Sequence, residues 1–274
     1  MSESVVKNTI QKAYDARPRK AWIKIVTVVV ILVLILWSAN GMSFNGLAAK
    51  GSEVAYGMVY GLTHPDTKIL FSLANDGVPY LLLQTVAIAI LGTVFGAILA
   101  VPVSFLSAEN IVPKPIAFIF RALVLLIRTI PSLIWALVWI RVTGPGAFCG
   151  VVTQTICSIG MISKMFVTAI EDLDTGIIES LDACGCNTFQ KIRYGVLPQL
   201  RAGFISSTIY RFDINLKDAT TLGIVGAGGI GAALVQSISS RRWSIVGSFL
   251  VALIIIVLII EWFSTRVRNK LTRG

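Results

Sequence analysis

Charged side chains within an otherwise apolar segment are the first candidates for chemistry. Four of them lie in the stretch 203–222: Arg211, Asp213, Lys217 and Asp218. At about 100° per residue, Arg211, Asn215 and Asp218 would share one face of a helix. Asp213 and Lys217 would form a pair on another face. Such a set either neutralises itself inside a helix bundle or lines a polar path in which Arg211 or Lys217 attracts an anion.

Two further cations lie in the apolar stretch 115–142. Arg121 and Arg128 are two helical turns apart and would lie on one stripe of a helix. They could therefore join the same path, and we include Arg128 among its candidate residues.

The polar loop, residues 171–202, carries a second pattern. It contains Glu179-Ser-Leu-Asp-Ala-Cys-Gly185, then nine residues, then Gly195-Val-Leu197-Pro198. We expect a short helix with an acidic side over Ile178–Ala183 and a left-handed helix end at Gly185. A second short basic turn would end at Pro198. The product is a compact helix pair outside the membrane, able to dock into a cleft on another protein.

Other familiar constellations fail on inspection. His64 is the only histidine, so no Ser/His/Asp or Cys/His catalytic set can be built in the apolar body. Of four cysteines, only Cys184 and Cys186 lie close in sequence, and one C-x-C without a second pair is a poor metal site. We therefore expect no metal site and no catalytic residue.

A glycine-rich stretch follows residue 222, with Gly226, Gly228, Gly229 and Gly231 in the literal pattern G-x-G-x-x-G. A dinucleotide site needs an acidic residue about 20 positions later, and the stretch 246–255 has none. We instead expect a re-entrant turn or close helix packing, an outer gate at the mouth of the bundle.

The low share of charged residues indicates that membrane-spanning helices carry most of the residues named above. Of 274 residues, 55% are hydrophobic and only 14% are charged, against about 25% charged in soluble domains. This argues against a soluble enzyme and for an all-α, polytopic membrane protein. Six stretches can each supply the roughly 20 apolar residues of a membrane span. They are Ala21–Ala39, Val78–Leu106, Pro115–Val142, Phe148–Ile170, Gly203–Leu222 and Ser244–Phe263, with a kink expected at Pro131.

The net charge of +10 belongs mainly to the ends of the chain. Basic tails that flank apolar spans follow the positive-inside rule and place both termini in the cytoplasm. Because no basic surface continues into the body, we expect no nucleic-acid partner. The expected divisions are a basic tail (1–20), a first span (21–40), an extracytoplasmic loop (41–77), a five-helix core (78–264) that includes the polar loop, and a second basic tail (265–274).

The polar loop resembles the E-A-A-x3-G-x9-I-x-L-P loop of ABC-importer permeases. Ser180 and Leu181 replace the alanines and Gly195 replaces the isoleucine, while both spacings are kept. The resemblance implies a type I importer permease fold in which cytoplasmic coupling helices contact an ATPase. The residues implied in that contact are Glu179, Asp182, Ala183, Gly185, Leu197 and Pro198.

Further stretches resemble the phosphonate ABC transporter permease. Among them are Arg128-Thr-Ile-Pro-Ser-Leu-Ile-Trp135, Tyr210-Arg-Phe-Asp-Ile-Asn215 and Leu222-Gly-Ile-Val-Gly-Ala-Gly-Gly-Ile-Gly231. Where that family usually has Asn-x-Arg-Ala, this chain has Asn215-Leu-Lys217-Asp218-Ala. The expected path residues are Arg128, Arg211, Asn215, Lys217 and Asp218, which would suit phosphonate, phosphite or phosphate.

The resemblance implies a transport subunit of a bacterial inner membrane that binds no cofactor itself, with ATP-Mg on a partner. Its expected partners are a cytoplasmic ABC ATPase dimer, the lipid bilayer, and a solute-binding protein on the outer face near 41–77 and 223–243. A second permease is also expected, either an identical copy (a homodimer) or a related chain.

One alternative is an ABC permease for methionine, sulfonates or another small solute. Another is a stand-alone secondary transporter.

Overall fold

The computed structural model describes residues 21–41 and 51–273. The first basic tail, residues 42–50 of the expected outer loop and residue 274 lie outside the described residues. The chain forms two units, 1–54 and 55–274. The first unit contains α1 (Ala21–Asn40), an apolar helix whose segment Trp22–Asn40 has a mean hydropathy of 2.5. It is long enough to cross a bilayer.

The remaining described residues form helices and connecting turns, without a strand. In chain order the helices are α2 (Gly51–Thr63), α3 (Thr67–Leu70), α4 (Val78–Ser107), α5 (Lys114–Thr129), α6 (Ser132–Thr143), α7 (Ala147–Glu171), α8 (Thr175–Ala183), α9 (Thr188–Gln190), α10 (Leu197–Ile224), α11 (Ile230–Ser239) and α12 (Trp243–Arg273). A π-helix, Lys191–Val196, joins α9 to α10.

The number of spans differs from the expected six. Among the described residues, four helices are long and apolar enough to cross a membrane, and the count reaches five if α5 and α6 form one span. These four are α1, α4, α7 and α12. The expected fifth span lies within α10, a continuous helix whose charged residues lower its hydropathy. The all-α membrane fold is confirmed, and six spans stay a prediction.

The expected kink at Pro131 is a sharp break. The axes of α5 and α6 differ by 89°, because proline lacks the N–H that would continue the helical ladder. The indole of Trp135 donates to the carbonyl of Ile127 at 3.3 Å and so satisfies one group freed at the break.

Close contact between α4 and α7 forms the centre of the second unit. Gly92 and Gly96 on α4 face Gln154 and Ser158 on α7 so closely that a Cβ at either glycine would overlap those side chains. Small residues allow helix backbones to approach in this way. The helix α10 packs against the same pair, with Phe204 stacked on Phe166 at a centroid separation of 3.8 Å.

Candidate functional site

A buried polar cluster lies where α4, α7 and α10 meet. The side chain of Asn215 is fully buried. Its amide donates to Thr93 Oγ1 and to Ser158 Oγ, both at 2.8 Å. Gln154 Nε2 donates to the backbone carbonyl of Asn215 at 2.7 Å. Polar side chains from three helices therefore hold α10 in a fixed register.

Arg211 extends the cluster by one turn of α10. It is 6% exposed, and its Nε donates to Ser158 Oγ at 3.2 Å. One guanidinium nitrogen lies 3.9 Å from Asp218 Oδ2, and another contacts the sulfur of Met161 at 3.1 Å. The helical spacing predicted that Arg211, Asn215 and Asp218 share one face of the helix. In the structure these three residues lie next to one another on that face.

Two buried acceptors in the cluster have no hydrogen-bond donor among the described residues. Gln154 Oε1 and Asn215 Oδ1 are buried, and neither accepts a hydrogen bond from the described residues. Burying such an acceptor is costly. The sequence interpretation missed Thr93 and Gln154 as members. The available signal was the one-turn spacing of Gln154 and Ser158 in a helix long enough to span a membrane.

Lys217 lies outside this cluster. Its Nζ is 3.3 Å from Glu261 Oε2 on α12, and both side chains are about half exposed, at 56% and 53%. The expected pair with Asp213 is therefore present only as a longer-range attraction, and the ion pair of Lys217 is with Glu261. Asp213 instead lies beside Ser264 of α12. Both residues face α12, which supplies a partner for each, so their spacing along α10 does not decide the pairing.

Arg121 and Arg128 are also separate from the cluster. Arg121 forms ion pairs with Glu109, at 2.6 Å, and with Glu171. It also donates to the carbonyl of Ser107 at 2.8 Å. This network ties together the ends of α4 and α7 next to the polar loop. Arg128 lines a cavity between α5 and α7. The expected path residues therefore occupy three places: the buried cluster, the α10–α12 contact and the α5–α7 cavity.

The glycine-rich stretch forms a turn between α10 and α11. Gly226, Gly228 and Gly229 have φ angles of +93°, +83° and +75°, which favour glycine. The N–H of Gly229 donates to Gln84 Oε1 at 3.0 Å. The N–H of Gly146 donates to the carbonyl of Gly226 at 2.9 Å. The turn therefore contacts the second turn of α4 and the residue that precedes α7. The close approach of Gly231 to Gly223 packs α11 against α10.

The polar loop is folded as a pair of short helical segments. Asp174 caps α8 by accepting from the N–H of Gly176 at 2.9 Å. Gly185 ends the first segment with φ +74°, the expected left-handed position. Asn187 and Gln190 form a reciprocal capping box at the start of the second segment. The second segment does not end at Pro198, the expected position. It continues through the π-helix into α10, where Pro198 occupies the first turn, a position that tolerates proline.

Two contacts hold these segments together. Lys191 forms an ion pair with Asp182. Gly195 faces Leu181 so closely that a Cβ at residue 195 would overlap the leucine side chain. These are the two positions where the motif differs most in size, since leucine stands for alanine and glycine for isoleucine. The larger side chain has therefore moved to the opposite side of the same contact.

The same loop presents an exposed surface. Glu179, Ala183 and Gly185 are exposed, and Asp182 keeps 55% of its side chain accessible although it is paired. Pro198 is also exposed, whereas Leu197 is partly buried. The polar loop therefore exposes an acidic surface on α8, and its helical segments are capped and packed against each other.

Comparison with known proteins gives consistent likenesses. Residues 92–273 match the family described as Binding-protein-dependent transport system inner membrane component. The phosphite transport system permease protein PtxC of Stutzerimonas stutzeri is 34% identical over 69% of each chain. The putative phosphite permease HtxC of the same organism is 30% identical over 93% of this chain and 88% of its own. The phosphate-import permease protein PhnE of Mycolicibacterium smegmatis is 35% identical over 69% of this chain, which spans only 36% of that relative.

Solved structures give the same fold. The MetNI methionine ABC transporter in an inward-facing conformation matches with a TM-score of 0.61 and 25% identity, over 69% of this chain and 94% of that one. A bacterial ABC transporter that imports alginate matches with a TM-score of 0.63 and 13% identity, over 92% and 99% of the two chains. The second likeness concerns the fold alone.

Proposed function

This chain belongs to the family of binding-protein-dependent transport system inner membrane components, and from that premise we propose that it carries a phosphonate, phosphite or phosphate anion through an ATP-driven importer. The observation that carries the substrate class is the identity of 30–35% to permeases named for phosphite and phosphate transport. Cations on α5, α7 and α10 suit an anion of this kind.

In this proposal the chain has no catalytic site of its own. A cytoplasmic ABC ATPase dimer binds ATP-Mg and contacts the polar loop. The exposed acidic surface of α8, with Glu179 and Asp182, forms the contact. Gly185 and the ion pair between Asp182 and Lys191 keep the loop rigid enough to transmit motion to α10.

The remaining partners follow from the same reasoning. A second permease, identical or related, completes the path, and a solute-binding protein docks on the face that holds the glycine-rich turn. Both chain termini then lie in the cytoplasm. In this account the glycines 226, 228, 229 and 231 form the outer gate, because they join the starts of α4 and α7.

The test combines co-purification with exchange of the binding protein. The chain is expressed with its neighbouring ATPase and binding protein, and substrate-stimulated ATP hydrolysis is measured in liposomes. We expect stimulation by a phosphonate- or phosphite-loaded binding protein. Stimulation only by methionine- or sulfonate-loaded proteins would move the chain to another substrate class. Uptake by this chain alone under an ion gradient would make it a secondary transporter.

A further inference from the structure

The cavity between α5 and α7 has an unusual charge pattern. Its volume is about 230 Å³, and it is lined by Ser107, Arg121, Val124, Leu125, Arg128, Lys164 and Val167. Three of these residues are cations, and within the part of the chain that the structure describes no carboxylate lines the cavity. An electropositive cavity beside apolar walls favours an anion.

The three cations are not equivalent. Arg121 is already neutralised by Glu109 and Glu171. Arg128 and Lys164, in contrast, form no ion pair with any other described residue. Two unneutralised cations in one cavity repel each other. An anion between them would remove that repulsion.

The helix geometry places these two cations within about one helical turn of each other along the bundle. The helices α5 and α7 run antiparallel, and Arg121 on α5 pairs with Glu171 on α7. Arg128 lies seven residues after Arg121, and Lys164 lies seven residues before Glu171. Both are therefore about 10 Å farther from the polar loop than that ion pair.

Gly160 holds the stem of Arg128 close to α7. A Cβ at residue 160 would lie 2.9 Å from Arg128 Cγ. The aliphatic part of the arginine side chain (its stem) therefore passes α7 at the point where Gly160 has no side chain. Gly160 lies one turn beyond Lys164 on α7, away from the polar loop. A cation that only anchored the helix would instead extend towards the membrane surface. The stem of Arg128 is held away from that surface.

We propose that Arg128 and Lys164 form a binding site for a tetrahedral phosphorus oxyanion on its way through the permease. The inference rests on the proposed function and deepens it, since it assigns the anion to the α5–α7 cavity and gives the buried Arg211 cluster a role in helix register. The guanidinium can hold two oxygens at once, and the ammonium acts as a point charge. Gly160 is a positioning residue for Arg128.

Thiol protection tests the site directly. Leu125→Cys is introduced into the full chain in nanodiscs, because Leu125 lines the cavity and is 61% exposed. Its reaction with N-ethylmaleimide is followed by peptide mass spectrometry at increasing methylphosphonate concentration. We expect methylphosphonate to slow the reaction. In Arg128→Gln and Lys164→Gln backgrounds the half-protecting concentration should rise about tenfold, since each loses a charge-assisted hydrogen bond.

Matched controls separate the cavity from general effects. Lys114→Gln removes a cation from α5 outside the cavity and should leave protection unchanged. Leu126→Cys lies next to Leu125 outside the lining and should show no protection. Gly160→Ala should weaken protection while Lys164 is still present. Equal protection in all variants, or none in the parent, would overturn the proposal.

Two further arms identify the source of the anion. Protection that depends on phosphatidylglycerol in the nanodisc, and not on methylphosphonate, would make the cavity a lipid headgroup site and overturn the transport role. Uptake of methylphosphonate by the assembled transporter without cavity protection would refute the site and leave the proposed function standing. Protection without any ATP-driven uptake would refute the proposed function instead.

Discussion

Exchanging bulk between Leu181 and Gly195 should show whether the polar loop is a packed unit. The structure leaves room for a side chain at residue 195 only if Leu181 shifts, because a Cβ there would overlap the end of the leucine side chain. Gly195→Val alone should therefore destabilise the loop by about 1–3 kcal/mol through overpacking. Leu181→Ala alone removes a partly buried side chain and should cost about 1–2 kcal/mol.

The double substitution Leu181→Ala/Gly195→Val returns the removed carbon atoms on the opposite side of the contact. It restores the order of sizes found in the related loop motif, small first and branched second. We expect the double variant to be more stable than the sum of the single effects predicts, by at least about 1 kcal/mol. Coupling of this size is expected only for residues in contact.

The assay is hydrogen exchange of peptides that cover residues 171–202, in the purified full chain. A loss of about 1.4 kcal/mol lowers local protection roughly tenfold. Each single variant should show this decrease, and the double variant should recover most of it. Peptides from α12 should not change in any variant. Additive losses in the double variant would refute the packed-pair explanation.

Further substitutions test the other contacts. Gly185→Asp forces a side chain into φ +74°, at a cost of about 1 kcal/mol. This variant and the separate variant Glu179→Lys should each reduce substrate-stimulated ATP hydrolysis in the assembled transporter. Full stimulation in both variants would contradict the coupling role. Lys217→Ala should lower uptake but leave ATPase binding intact, and unchanged uptake in vesicles would remove Lys217 from the path. Asn215→Leu removes the donor to Thr93 and leaves Ser158 with Arg211 as its remaining donor. It should lower the denaturation temperature of the solubilised chain, by an amount consistent with about 1–2 kcal/mol. Cys184 is exposed and lies in the polar loop, which we propose to be cytoplasmic. An impermeant maleimide should therefore label it only from the cytoplasmic side. Labelling from the outside would show that the proposed orientation is wrong.

Helical spacing alone predicts part of the site. The angular arrangement of Arg211, Asn215 and Asp218 depends only on the geometry of one helix, and the structure brings all three together. The helix end at Gly185 likewise depends on local backbone preference. Such features are encoded within a few residues and can be read from sequence.

Partners on other helices could not be predicted in this way. Asp213 and Lys217 are correctly spaced for a pair, yet Lys217 contacts Glu261 on α12. The proline break between α5 and α6 was expected, but its 89° angle depends on packing around Pro131. The complementarity of Leu181 and Gly195 depends on the folding of two separate segments against each other, which the spacing within one segment does not encode.

ATP-driven uptake of radiolabelled methylphosphonate into liposomes that contain this chain, its ATPase and its binding protein tests the proposed transport function. We expect uptake that requires ATP, the binding protein and this chain, and that is inhibited by phosphite or phosphate. Uptake that continues without ATP or without the binding protein, or no uptake of any of these anions by an assembly that hydrolyses ATP, would contradict it.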